Sequence, residues 1–209
     1  MSIIKKISQK AILELVYLLV KEVKNDFYLP INKGYIVASN HASYIDPFII
    51  TSIIYKTQRR LARYIGKKEA LNDLIPRFIY NTFDVIPIDR NSKSKKTINY
   101  VIKYLKNNGI IGIFPEGART FDGRIQIGKT GVARMALQSN VCVVPVAIKG
   151  AFDLWPRYKI FPKIKRAIKV NIGKPIDFNN YTKKKISKKI VRSITDSIME
   201  RISNLYSEI

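Results

Sequence analysis

Histidine and cysteine each occur once in the 209 residues, as His41 and Cys142. One cysteine cannot close an internal disulfide, which suits a reducing compartment. Without paired Cys/His ligands there is no basis for a structural zinc site, and no metal is expected. Any acid–base chemistry by imidazole must fall to His41; histidine is the usual base near neutral pH because its unperturbed pKa is about 6.5. Acids are also scarce, with 15 Asp and Glu against 38 Lys and Arg and a formal net charge of +23. No uninterrupted apolar run reaches the ~20 residues of a membrane-crossing helix. Ala11 to Val20 is short and contains Glu14. Nothing resembles a cleaved secretory signal with a small-residue exit site.

There is no internal repeat and no Gly/Ser-rich linker. With 46% hydrophobic residues, the length suffices for one well-cored domain. Apolar strand-like runs are expected near residues 35–39, 61–66, 83–88, 110–114, 141–148 and 167–173. Helices are expected over 47–57, 70–81, 93–108 and 128–139. That alternation predicts a single α/β domain with a mostly parallel central sheet flanked by helices on both faces. Cys142 sits in the apolar run Val141-Cys142-Val143-Val144 and reads as core, not as a nucleophile.

His41 lies in Asn40-His41-Ala42-Ser43-Tyr44-Ile45-Asp46. On a regular helix five residues turn through roughly 500 degrees, which would hold His41 and Asp46 apart, so a meeting of the two requires a bend. The run Tyr35-Ile36-Val37-Ala38 reads as a buried strand, and Asp46-Pro47 reads as an N-cap and first-turn proline. His41 then falls in a strand-to-helix connection, where reactive groups commonly sit. Asp46 could cap the helix, orient the imidazole, or do both, since a carboxylate has two oxygens. Ser43 is two residues from the base with no orienting partner of its own and reads as a turn residue.

A second compact run, Phe114-Pro115-Glu116-Gly117-Ala118-Arg119-Thr120, follows the apolar strand Ile110-Ile111-Gly112-Ile113. It offers an acceptor, a forked cation and a hydroxyl within five residues, and Gly117 has no side chain to keep a ligand off the backbone. The residues suit a phosphate or hydroxyl clamp, or equally an ordinary loop with a local Glu116 to Arg119 ion pair.

Together these segments resemble the glycerolipid acyltransferase family typified by 1-acylglycerol-3-phosphate acyltransferase. The family is marked by four blocks in order. Asn40, His41 and Asp46 match the first, asparagine-histidine, four residues and aspartate. Val85-Ile86-Pro87-Ile88-Asp89-Arg90 matches the second, an apolar strand ending in arginine, with Asp84 where the family often has glycine. Residues 114–120 match the third, with Ala118 and Thr120 in place of threonine and serine. Val143-Val144-Pro145-Val146-Ala147-Ile148 matches the fourth, and Gly128-Lys129-Thr130-Gly131 resembles the family's lysine-containing turn. The resemblance spans about residues 35–150.

It implies a transferase that moves a fatty acyl group from acyl-CoA or acyl carrier protein to the sn-2 hydroxyl of lysophosphatidate, forming phosphatidate in phospholipid biosynthesis. Glycerol 3-phosphate, another lysophospholipid or an aminoacyl lipid are the alternative acceptors. His41 is implied as the base and Asp46 as its orienting partner. Arg90, Glu116, Gly117, Arg119 and Lys129 are implied around the acceptor's phosphate and glycerol. No bound cofactor is implied, the acyl donor being a substrate.

The positive charge implies polyanionic neighbours. Residues 157–192 hold thirteen basic side chains and one acid, Asp177. Anionic lipid head groups, the phosphates of coenzyme A, or an acidic carrier protein would suit such a surface. Nucleic acid is the rival polyanion, but the basic region has neither a recognised binding motif nor an aromatic stacking array. Residues 3–24, read as one helix, place Lys6, Lys10, Glu14, Tyr17, Lys21 and Lys24 on a narrow polar stripe and leave the rest apolar. Such a helix packs on the domain or lies in a membrane interface, and its basic flank favours the interface. The expected organisation is therefore a membrane-associating helix over 1–30 and a catalytic domain over 31–209, peripheral or monotopic on the cytoplasmic face of the inner membrane. A final helix repeats Ile186, Ile190, Ile194, Ile198, Ile202, Leu205 and Ile209 along one side and should dock on the domain.

Overall fold

A computed structural model describes residues 3–72, 74–88, 95–178, 181 and 187–209. Seven strands form one sheet in the order β1-β7-β6-β2-β5-β3-β4. They are β1 (Val20–Lys24), β2 (Tyr35–Ser39), β3 (Ala62–Lys67), β4 (Ile86–Ile88), β5 (Ile110–Ile113), β6 (Val143–Lys149) and β7 (Ile168–Ile172). All neighbours are parallel except β6 and β7, so the expected mostly parallel sheet is present.

β2 is central and buried along its whole length. Its side chains alternate between two cores: Tyr35 and Val37 face one, Ile36 and Ala38 the other. Such continuous apolar strands are what a parallel sheet with both faces covered requires. Helix α1 (Ile3–Tyr17) and helix α2 (Asp46–Gln58) lie on the Val37 face, where Ile49, Ile50, Ile53 and Ile54 of α2 recur at helical spacing and are buried. Each such isoleucine contributes about 1.5–3 kcal/mol by leaving water. Helices α4 (Lys95–Lys106), α5 (Gly131–Ser139) and α7 (Lys188–Ser207) supply Val101, Leu105, Val132, Ile194, Ile198 and Ile202 to the Ile36 face. Helix α3 (Leu74–Phe83) precedes β4, and the short α6 (Ala151–Leu154) follows β6. The last helix docks as expected; Ser187 caps it by accepting from the Ile190 N–H, while Ile186 lies outside the described residues.

The N-terminal reading needs correction. The helix stops at Tyr17, and Val20–Lys24 is not its continuation but edge strand β1, paired in parallel with β7. A boundary at residue 30 therefore cuts through the domain. Glu22 pairs with Lys24 and Lys169, so Lys24, expected on the helical stripe, instead decorates a sheet edge. Helix α1 docks one face: Gln9 and Leu13 are buried, Gln9 Nε2 donates to the Thr82 carbonyl at 2.6 Å, and Lys5 pairs with Asp84 at 2.7 Å. Ile4, Ile7 and Leu15 remain exposed on the other side, as does Leu18 just beyond the helix. One side of the helix is thus docked on the domain and the other is open to solvent. Among the described residues no helix is long and apolar enough to cross a membrane.

Candidate active site

Parallel packing of β2 and β5 brings their carboxyl ends side by side, with Ala38 opposite Ile113. The two polar segments that follow these strands therefore emerge together, in the crevice where open α/β sheets bind ligands. Backbone bonds lock them to each other. The His41 N–H donates to Glu116 Oε1 at 2.7 Å, and the Thr120 N–H donates to the His41 carbonyl at 2.9 Å. Asn40 ties the first loop to β6: its Nδ2 donates to the Ile148 carbonyl at 2.9 Å and its Oδ1 accepts the Ile148 N–H at 2.8 Å.

The bend required by the five-residue spacing is present. His41 Nδ1 lies 2.8 Å from Asp46 Oδ2, which also accepts the N–H groups of Ala42 and Ser43 at 2.7 Å each. Because that oxygen is an acceptor, Nδ1 carries the hydrogen and Nε2 is the basic ring nitrogen. Asp46 is fully buried. It is the first residue of α2, with Ile45 in the N-cap position, so its carboxylate caps the preceding turn and not the helix. The positive end of the helix dipole favours a carboxylate there. The imidazole stacks on Phe114, with centroids 3.9 Å apart and planes 13° apart, and Phe114 in turn faces Tyr64 at 5.6 Å. The Tyr64 ring crosses β5 at Gly112, where a Cβ would meet it at 2.1 Å. Ser43 plays the expected turn role, its hydroxyl donating to the Trp155 carbonyl at 2.8 Å.

Glu116, expected beside the acceptor, is tied to the backbone of two loops. It is buried, and its two oxygens accept the backbone N–H groups of His41 and Gln126, at 2.7 and 2.9 Å. Burial pushes its carboxyl up to about 7. It thereby ties the His41 loop to the second motif, and it forms no described ion pair with Arg119. Gly117 has φ +76°, and a Cβ there would come within 2.9 Å of the Lys129 side chain, so the lysine lies across bare backbone. The Lys129 N–H donates to the Pro115 carbonyl at 2.7 Å. The Arg119 guanidinium lies 3.3 Å from the Tyr44 ring centroid, and its buried Nη1 has no hydrogen-bond partner among the described residues. His41, Asp46, Glu116, Gly117, Arg119 and Lys129 thus assemble in one place. Arg90 lies outside the described residues.

Sequence reasoning missed Tyr44, Phe114, Trp155 and Arg157 as parts of the site. The first two sit inside the motifs and were within reach. Trp155 and Arg157 carry no local signal: Trp155 packs on Tyr44 with centroids 5.2 Å apart, and Arg157 Nη1 donates to the Arg119 carbonyl at 3.2 Å. Cys142 lies at the opposite end of the sheet, its carbonyl accepting the Ile36 N–H, and burial pushes its thiol up to about 11. Cys142 is half-buried and packs against the core from its edge. Two concavities of about 690 and 950 Å³, one beside β4 and one around Cys142, are not lined by His41.

A family model described as acyltransferase matches residues 21–149. The chain is 28% identical over 192 residues to the 1-acyl-sn-glycerol-3-phosphate acyltransferase of Bacillus subtilis (strain 168), which covers 90% of this chain and 89% of the relative. It is 31% identical over 163 residues to the protein of the same name from Cocos nucifera, covering 75% of this chain and 50% of that one. The solved structure of the 1-acyl-sn-glycerophosphate (LPA) acyltransferase PlsC from Thermotoga maritima has the same fold, with a TM-score of 0.73 at 23% identity over 96% of this chain and 80% of that one.

Proposed function

Because the chain belongs to the acyltransferase family, we propose that it moves a fatty acyl group from acyl-CoA or acyl carrier protein to the sn-2 hydroxyl of 1-acylglycerol 3-phosphate, making phosphatidate. The observation that carries this reading is the His41–Asp46 pair at 2.8 Å, held in register by the loop that bears Arg119. The names of the relatives supply the acceptor.

His41 Nε2 takes the proton of the acceptor hydroxyl as that oxygen attacks the thioester carbonyl carbon. The tetrahedral intermediate collapses with cleavage of the carbon–sulfur bond, and the imidazolium returns its proton to the departing thiolate. Asp46 keeps the proton on Nδ1 and stabilises the transient positive charge. No acyl-enzyme is formed. Arg119 and Lys129 hold the acceptor's phosphate, the Arg119 guanidinium being oriented by its stacking on Tyr44. Arg90 is assigned to the same phosphate by its motif. The exposed apolar side of α1 and the charge of +23 support attachment to an anionic membrane surface, at the cytoplasmic face.

The test is transfer of palmitoyl or oleoyl groups from coenzyme A and from acyl carrier protein to lysophosphatidate in mixed micelles, with wild type and His41→Ala in parallel. Transfer by wild type and its loss in a folded variant is the expected result. No transfer to any glycerolipid, with salt-sensitive nucleic-acid binding instead, would overturn it.

A further inference from the structure

We propose that the segment 157–166, between α6 and β7, is a second membrane contact, inserting apolar side chains into an anionic bilayer and holding the His41 end of the sheet against the lipid. The proposal rests on the acyl-transfer reading for what the contact delivers, a lipid acceptor presented to the base.

Residues 158–166 are exposed without a break. Among them Ile160 is 81% exposed, Phe161 80% and Ile164 90%. Single exposed apolar residues are ordinary on a soluble surface, but three so close together and so fully exposed mark an interaction site. Between and beside them stand Arg157, Lys159, Lys163, Lys165 and Arg166, with no acid in the segment. Apolar tips interleaved with cations match the two layers of a bilayer interface: the tips enter the acyl boundary while the cations meet anionic head groups. An acidic protein partner would satisfy the charges but give no reason for the bare isoleucines and phenylalanine.

The base of the segment is fastened. The Lys163 N–H donates to the Leu154 carbonyl at 2.9 Å, and Trp155 Nε1 donates to the Lys159 carbonyl at 3.0 Å. These bonds present the tips outward as a fixed feature. The fastening also reaches both motif loops. Trp155 receives the Ser43 hydroxyl, and the Arg157 guanidinium lies 3.8 Å from the ring centroid of Phe121, itself 71% exposed in the loop after Arg119. Lipid gripped by 157–166 therefore lies next to the polar site.

Co-sedimentation with phosphatidylcholine vesicles containing about a third phosphatidylglycerol should show the Ile160→Asp/Phe161→Asp/Ile164→Asp variant binding at least about tenfold more weakly than wild type. Fluorescence of a Phe161→Trp variant should be quenched beyond the wild-type level when the vesicles carry brominated acyl chains. Transfer to a short-chain lysophosphatidate below its micellar concentration should be unchanged in the triple variant. Vesicle affinity within twofold of wild type, or no added quenching, overturns the proposal. Unchanged vesicle binding with loss of binding to an acidic acyl carrier protein makes the segment a protein-docking surface instead. Wild type inactive on lysophosphatidate in both monomeric and micellar form would instead refute the acyl-transfer reading, and the vesicle result would still be readable.

Discussion

The backbone N–H of His41 donates to the Glu116 side chain at 2.7 Å, so a residue of the second motif fixes the base of the first. Glu116 makes no contact with Asp46 or the imidazole nitrogens through that bond; it sets where the loop runs. Replacing it by alanine leaves the N–H groups of His41 and Gln126 without their buried acceptor, at a cost of about 1–3 kcal/mol each. The Glu116→Ala variant should lose thermal stability by several degrees, and kcat should fall more than either Michaelis constant rises.

The same carboxyl makes stability depend on pH. Burial pushes it up to about 7 from an ordinary 4.5, so between those values the folded chain holds a proton that the unfolded chain has released. This component of stability is present at the acid end, is lost as pH rises through that window, and levels off above it. Melting temperatures of wild type and Glu116→Gln should therefore converge or cross as pH rises from about 5 to about 8, with wild type losing more. Parallel melting curves across the range would contradict the assignment.

Asp46→Asn keeps the shape of a side chain that receives three donors at one oxygen, but removes its charge. Transfer should fall by about 10² to 10⁴ in kcat with little change in fold, because the imidazole loses both its tautomer and its counter-charge. Circular dichroism and single-turnover rates separate the two effects.

Arg119 is held by stacking on Tyr44, which packs on Trp155. Arg119→Ala should raise the acceptor's Michaelis constant about tenfold or more while leaving the donor's alone. Tyr44→Leu should do the same more weakly, by about three- to tenfold, and Tyr44→Phe should restore wild-type values. A rise confined to the donor would move both residues to the donor site.

Asn40→Ala removes both bonds to Ile148 and strands a buried N–H and carbonyl near the carboxyl end of β6. It should cost about 2–4 kcal/mol, read as a lowered midpoint in urea. Cys142→Ser should retain full activity, and thiol alkylation should leave wild-type rates unchanged.

Local pattern was enough to anticipate the alternation of strands and helices and the apolar stripe of α7, and to single out His41 and Asp46 as a candidate pair. Each depends on the spacing of residue types along a few turns or pleats, and in the case of His41 on there being no other imidazole. Three things awaited the tertiary structure. Val20–Lys24 became a strand because β7, some 150 residues later, offered it an unpaired edge; its own charges fit a helix equally well. The support that Glu116 gives the first loop was hidden because its partners are backbone N–H groups, which no sequence pattern marks. Trp155 and Arg157 joined the rim only through chain crossing from β6 back over the two motif loops. Chemistry is legible from side-chain type, whereas who holds it in place is decided by which backbones the sheet brings side by side.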